Sequence, residues 1–234
     1  MSRVRLVDWS AWSPGLDVRS AWRDWAETGV HAQGDDEPAL PEVPAMIRRR
    51  ADRLARMSLR VALDVLGERR NIPVVYVSRH GSVGRSAGLL EALALAQPLS
   101  PAAFAASVHN AASGVLGIVR GDPAPCSAVA AESDGIAAML SEVHAFLSDD
   151  YPEVVAILCD EPLPPRYAQF RDADERPVAW AGSFSLVDGA GLALGRSGNA
   201  QSALDEPEIL AWIRWLLSDR AALPCGAGWE VRRA

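Results

Sequence analysis

Residues 99–147 read LSPAAFAASVHNAASGVLGIVRGDPAPCSAVAAESDGIAAMLSEVHAFL, and in that order they predict a short helix, a helix of small residues, a turn, a short strand and a longer helix. Ser100 followed by Pro101 is a helix start, a hydroxyl that accepts from free N–H groups and then a residue with no N–H to leave unpaired. From 110 to 119 the side chains are small and apolar, and Ala111, Gly114 and Gly117 recur every three residues, so one face carries almost no bulk. A helical glycine costs roughly 1 kcal/mol against alanine, so two of them are expected where another backbone comes close. Gly121, Asp122, Pro123 and Pro125 predict a turn. Residues 127–131 predict a short buried strand. Beyond them Ile136, Met139, Leu140, Val143 and Leu147 recur at spacings of three and four, the period of a buried helix face.

Upstream, residues 4–12 predict a first strand closed by Ser13-Pro14-Gly15, with Trp9, Trp12, Trp22 and Trp25 crowded around it. Aromatic packing is one use of that cluster and a partner-facing anchor is the other. Residues 31–44 are a polar, proline-bearing connector. A single helix is expected from 45 to 66, apolar along Leu54, Met57, Val61 and Val65 and loaded elsewhere with Arg48, Arg49, Arg50, Arg53, Arg56 and Arg60. Local carboxylates can solvate such a face. Docking of an acidic carrier protein or partner subunit is the functional alternative, with Arg49, Arg53 and Arg56 as the candidate contacts. Residues 72–78 predict a central strand that ends in Arg79-His80-Gly81, and residues at such strand ends often face a site.

Downstream, residues 153–160 predict a buried strand containing Cys159, ended by Asp160-Glu161-Pro162-Leu163-Pro164. The prolines make that ending a turn, although paired carboxylates could also suggest acid or metal chemistry. Residues 177–187 predict a long antiparallel strand, residues 205–218 an amphipathic helix, and the tail GWEVRR an edge strand. The glycine-rich run 189–199 opens no apolar helix, so it makes a poor phosphate loop. Helices and strands alternate and then two strands follow, which predicts an α/β fold with a mixed sheet and flanking helices.

The chain has 234 residues, 49% of them hydrophobic, enough for one globular domain spanning 1–234 with a substantial core. The net charge is −7 and all 23 basic residues are arginine. That balance argues against general nucleic-acid binding. No apolar run approaches the roughly 18 residues that would span a membrane. The opening MSRVRLVDWS has no apolar core of a signal peptide, so the cytoplasm is expected. Cys126, Cys159 and Cys225 match no metal spacing and are expected as reduced thiols.

The ordered phrases SP-x-x-F at 100–104, SVHNA-x-x-G at 107–114, G-x-x-AP at 121–125 and SAVAAESDGIAA at 127–138 resemble the N-terminal half of a β-ketoacyl synthase. More closely, they are similar to the short ketoacyl-synthase-like chain length factors of aryl polyene and related pigment pathways. S-A-W-x-PG at 10–15, SRHG at 78–81 and DEPLP at 160–164 fit the same family. The resemblance implies a single thiolase-type half, and in that fold a strand delivers a nucleophilic cysteine at a helix start. Counted from Pro125, that position falls on Ser133, whereas Cys126 comes too early. The resemblance therefore implies a subunit with no catalytic residue and no cofactor, paired with a ketosynthase and served by an acyl carrier protein. It sets His109, Asn110, Gly114 and Gly117 at the subunit interface and acyl pocket.

Two other readings stand beside it. One is an independent acyltransferase or thioesterase using Ser133 or Cys126; against it, no G-x-S-x-G elbow is present and Ser133 is flanked by Glu132 and Asp134. The other is an interaction protein on a decayed fold.

Overall fold

The structure is a computed structural model describing residues 3–31, 34–171, 174–197, 204, 206–226 and 228–234. Its centre is one eight-stranded sheet, ordered β3-β2-β4-β5-β1-β6-β8-β7. The strands are β1 (Arg3–Trp12), β2 (Val74–Val77), β3 (Cys126–Val129), β4 (Val154–Asp160), β5 (Val178–Val187), β6 (Leu192–Arg196), β7 (Ala222–Pro224) and β8 (Trp229–Arg233). β2 runs parallel to both β3 and β4, while β4, β5 and β1 pair antiparallel. The sheet is mixed, with helices on both faces, as a thiolase-type half requires.

Central strands read as unbroken apolar runs because both faces are covered. Along β4, Val154, Ala156 and Leu158 join one core while Val155, Ile157 and Cys159 join the other. Trp180 and Phe184 of β5 point the first way, Ala179 and Ala181 the second. The first core is closed by α1 (Arg19–Thr28), α7 (Gly135–Ser148) and α8 (Glu208–Leu216), which bring Trp22, Trp25, Ile136, Met139, Trp212 and Trp215. The second is closed by α3 (Arg53–Leu66) and α6 (Ala111–Arg120) through Leu54, Met57, Val61, Ala112 and Leu116. The early tryptophans are thus largely core: Trp22 and Trp25 meet edge to face 5.3 Å apart.

Several expectations need correction. The helix over 45–66 is two helices, α2 (Ala45–Arg48) and α3, because Asp52 caps α3 by accepting from the Ala55 N–H at 3.0 Å. An aspartate amid six arginines reads as a charge partner; here it is also a helix start. β3 is not buried: it is an outer strand of the sheet, and Cys126 and Ala128 are exposed. The tail strand β8 is not an edge, since β6 and β7 flank it. β6 falls in the glycine-rich run, whose residues 198–199 lie outside the described residues, as does Asp205 at the expected start of α8.

The segment after β2 follows its sequence closely. α4 (Val83–Ala94) leads to α5 (Pro101–Ala105), whose Ser100 cap accepts from the Ala103 N–H. Gly121 ends α6 in the left-handed conformation, φ 56°, which glycine adopts without steric cost.

Candidate functional site

Two neighbourhoods hold the residues singled out from sequence: the start of α7 and the open edge at β3. At the first, Ser133 and Glu132 are exposed in the loop before α7, and Asp134 takes the N-cap position without bonding through its side chain. The leading N–H groups of α7 belong instead to Glu208 of α8. Its Oε2 accepts from Gly135 N at 3.0 Å and its Oε1 from Ile136 N at 2.9 Å. Burial pushes the Glu208 carboxyl up to about 7, and the two N–H donors pull it back down only in part. Cys225, fully buried, is pushed up to about 12 by burial and then by Glu208. No signal in the residues flagged Glu208 beyond an acid just after Pro207.

At the second, His109, Asn110, Ser113, Gly114, Cys126 and Ala128 line a concavity of about 440 Å³. His109 is fixed by its own chain: Nε2 donates to the Ser78 carbonyl at 2.8 Å, since a carbonyl can only accept, and the ring meets Tyr76 edge to face. Within this chain no other backbone comes close to Gly114. A Cβ there would meet nothing within 4 Å, while one on Gly117 would lie 3.5 Å from the Asp122 carbonyl. The bare face of α6 is bare toward open space. Ile118 of the same helix is an exposed apolar side chain at 72%, and Phe104 and Val108, which precede α6 in sequence, are exposed at 66% and 45%.

The two ends of the sheet differ. β7 is three residues long and ends in Pro224, both features that discourage pairing. At the other end, the Pro125 and Val129 carbonyls accept from Val74 N and Ser78 N of the β2 segment. By alternation along a strand, Cys126 and Ala128 turn their N–H and C=O groups outward. Between Cys126 and Val129, β3 carries neither charge nor proline.

The arginines divide. Arg53 pairs with Glu161 at 3.2 Å and with Asp35 at 3.6 Å, and Arg56 with Glu37 at 2.8 Å, so the connector and the β4 end supply local carboxylates. Arg49 is exposed, and among the described residues no carboxylate lies in ion-pair range of it. Asp160, which sequence left in a turn, is nearly buried and binds the loop after β2, accepting from Ser78 Oγ at 2.9 Å and Arg79 N at 2.8 Å. Burial pushes it up to about 6. Its carboxylate holds backbone in place at a strand end; among the described residues no cluster of three metal-ligating side chains forms. No helix among them is long and apolar enough to cross a membrane.

A mixed sheet with helices on both faces, and a strand–loop–helix elbow leading into a buried α7, is the thiolase-like fold of ketosynthases. The chain belongs to the β-ketoacyl synthase family: residues 22–229 match the model of the β-ketoacyl synthase N-terminal domain. Over 99% of its length it is similar, at 27% identity and a TM-score of 0.84, to 99% of a chain in the complex of the ketosynthase ApeO with its chain length factor ApeC from Xenorhabdus doucetiae. At 14% identity and a TM-score of 0.58, 83% of the chain shares its fold with 64% of a chain of the ishigamide ketosynthase/chain length factor. A β-ketoacyl synthase from Burkholderia phymatum STM815 shares the fold at 12% identity and a TM-score of 0.61, over 93% of this chain and 70% of that one. No curated protein sequence matches the chain.

Proposed function

We propose that the chain is a non-catalytic chain length factor, which pairs with a ketosynthase and shapes the acyl pocket in aryl polyene or related polyketide-type biosynthesis. The observation that carries this reading is the open β3 edge, whose outward N–H and C=O groups adjoin a concavity lined by Cys126 and Ala128 together with His109, Asn110, Ser113 and Gly114. An unpaired strand edge is a ready template for another chain. The complex of ApeO with ApeC supports a ketosynthase as that partner, through full-length similarity to one of its chains. Carbon–carbon condensation on an acyl thioester needs an activated nucleophile and oxyanion donors. Ser133 is exposed between Glu132 and Asp134, and the Gly135 and Ile136 N–H groups that follow it are bonded to Glu208.

The decisive experiment is co-expression with a ketosynthase, with purification of the pair and mass analysis of the released acyl chains. Ser133→Ala is expected to leave pathway flux unchanged; a hundredfold loss with folding and pairing intact would make Ser133 a nucleophile. Acyl-thioester hydrolysis by the isolated chain would favour the acyltransferase or thioesterase reading, with Cys126, exposed in the concavity beside His109, as the residue to test next.

Gly114 supplies the length readout. Gly114→Leu adds a branched side chain where a Cβ now meets open space, and leucine is the better helix former, so the isolated chain should fold with its Tm unchanged or slightly raised. In the pair that side chain would fill the acyl pocket or collide with the partner. The expected result is shorter chains or a lower yield of the pair, and unchanged length and yield would remove Gly114 from the pocket. His109, Asn110 and Gly117 belong to the same proposed interface. Arg49, Arg53 and Arg56 are the proposed docking contacts for an acidic carrier protein, Arg49 carrying the most weight because the other two are paired at home.

A further inference from the structure

Asp160, Ser78 and His109 are far apart in sequence, yet they form one chain of hydrogen bonds at the end of the central strands. Asp160 closes β4, Ser78 follows β2, and His109 precedes α6. The Asp160 carboxylate accepts from Ser78 Oγ at 2.9 Å and from Arg79 N at 2.8 Å. Ser78 Oγ in turn accepts from Gly81 N at 2.9 Å, which closes the loop 78–81 on itself. The carbonyl of the same buried serine receives His109 Nε2 at 2.8 Å. Gly81, at φ +61°, brings the loop against the ring: a Cβ there would lie 3.1 Å from His109 Cδ2. The imidazole edge that carries Nε2 and Cδ2 is therefore committed to the loop, and Nδ1 lies on the other side of the ring. A neutral imidazole that donates through Nε2 has an unprotonated Nδ1, which can only accept. That atom has no hydrogen-bond partner among the described residues, and His109 lines the concavity beside β3.

We infer that Asp160 is a positioning residue for His109: through Ser78 it holds the imidazole with Nε2–H on the loop and Nδ1 as a fixed acceptor, so the concavity takes a ligand that donates an O–H. Buried polar atoms are paired in folded proteins and their complexes. A wholly apolar group closing over Nδ1 would break that rule, whereas a hydroxyl would satisfy it. The concavity, about 440 Å³, is of the size of small-molecule sites. The donor is accordingly assigned to a bound small molecule and not to a partner side chain. Asn110, Ser113 and Cys126 beside His109 give the same corner a polar lining. The place of this acceptor in the assembly rests on the chain length factor reading, which makes the concavity part of the interface and acyl pocket.

The test is the tautomer of His109, read from long-range proton–nitrogen spectra of the full chain carrying labelled histidine. His109→Asn is the blank that identifies its signals among the four histidines. Spectra are taken at pH 8, where Asp160, pushed by burial up to about 6, is ionised. The expected result is a single Nε2–H tautomer in the unmodified chain. Asp160→Ala is expected to lose it and mix both tautomers, and Asp160→Asn, whose amide oxygen still accepts, to restore it. A merely structural Asp160 would lower Tm and leave the tautomer alone, so a folded Asp160→Ala chain with a pure Nε2–H tautomer overturns the positioning. If that variant does not fold, Ser78→Ala, which keeps the carbonyl, decides in the same way: mixed tautomers support the inference and a pure one overturns it. Phenol and anisole, the same ring with and without a donor, are then titrated against the Nδ1 signal. Phenol is expected to bind about tenfold more tightly, the order of one hydrogen bond. Equal effects, or none, overturn the donor assignment. In the purified pair with a ketosynthase, an Nδ1 already hydrogen-bonded before phenol is added would give the donor to the partner and overturn the small molecule. The tautomer is read on the isolated chain, so its failure leaves the chain length factor reading intact; failure to pair would defeat that reading and leave the tautomer as it is.

Discussion

Ala128→Pro is expected to give a folded chain that pairs far more weakly with the proposed ketosynthase partner. The β2 segment takes its hydrogen bonds on this side from the Pro125 and Val129 carbonyls, so Ala128, between them, presents its N–H outward. Proline is tolerated at such an edge position, because the N–H it removes has no partner within the sheet. An arriving strand loses one hydrogen bond, worth about 0.5–1.5 kcal/mol net, and meets a ring where the N–H stood. Together these are expected to weaken pairing about 100-fold, or ~2.8 kcal/mol. Co-purification and an affinity titration would read the loss, with thermal melting of the isolated chain as the control for folding. A variant that pairs at wild-type affinity would move the partner away from β3. The neighbouring side chains set the rest of the surface: Ser127 turns to the opposite face and bonds Glu142 of α7, whereas Cys126 and Ala128 line the concavity.

Gly226→Ala is expected to be among the most destabilising single-methyl additions in the molecule. The residue has φ +74°, where a side chain is strained, and the added Cβ would overlap backbone at Ser133 that has no rotamer to retreat into. Strain of the first kind costs about 1–3 kcal/mol, and overpacking about 1–3 kcal/mol more. For a chain of 234 residues this corresponds to a fall in Tm of roughly 4–24 °C. Gly29→Ala is the matched comparison: φ is +68° there too, but nothing lies within 4 Å of the new methyl, so only the first cost applies. Equal Tm values for the two variants would mean that the turn does not bear on the elbow. The expected gap between them measures how firmly the C-terminal turn clamps the loop before α7.

Where local chemistry is sufficient, the residues were a good guide. Ser100-Pro101 does start a helix, Gly121 does end one, and the spacing of Ile136, Met139, Leu140, Val143 and Leu147 does bury one face of α7. The apolar runs of β2, β4 and β5 are central strands for the reason their composition implies, cores on both faces. Family membership was legible as well, because ordered phrases from Ser10 to DEPLP at 160–164 fix a topology that no single phrase could.

What escaped are properties of distance between segments far apart in the chain. Asp52 breaks a helix that periodicity alone would continue, and it also bonds Ser82 and Arg85 at 2.9 and 3.1 Å. Gly114 reads as a point of close approach because a helical glycine must be explained somehow; within this chain the fold leaves its space open, although Gly117 on the same face does meet the Asp122 carbonyl. β3 looked buried because its residues are small and apolar, and only the strand order reveals it as an outer strand. Glu208 is the clearest case. It stands 73 residues from Gly135 in sequence, yet the packing of α8 under the sheet delivers its carboxylate to the start of α7. Helix starts, turns and alternation depend on neighbours within a few residues, so composition and order decide them. Which strand is left unpaired, and which carboxylate meets which helix end, depends on segments that only the closed sheet brings together.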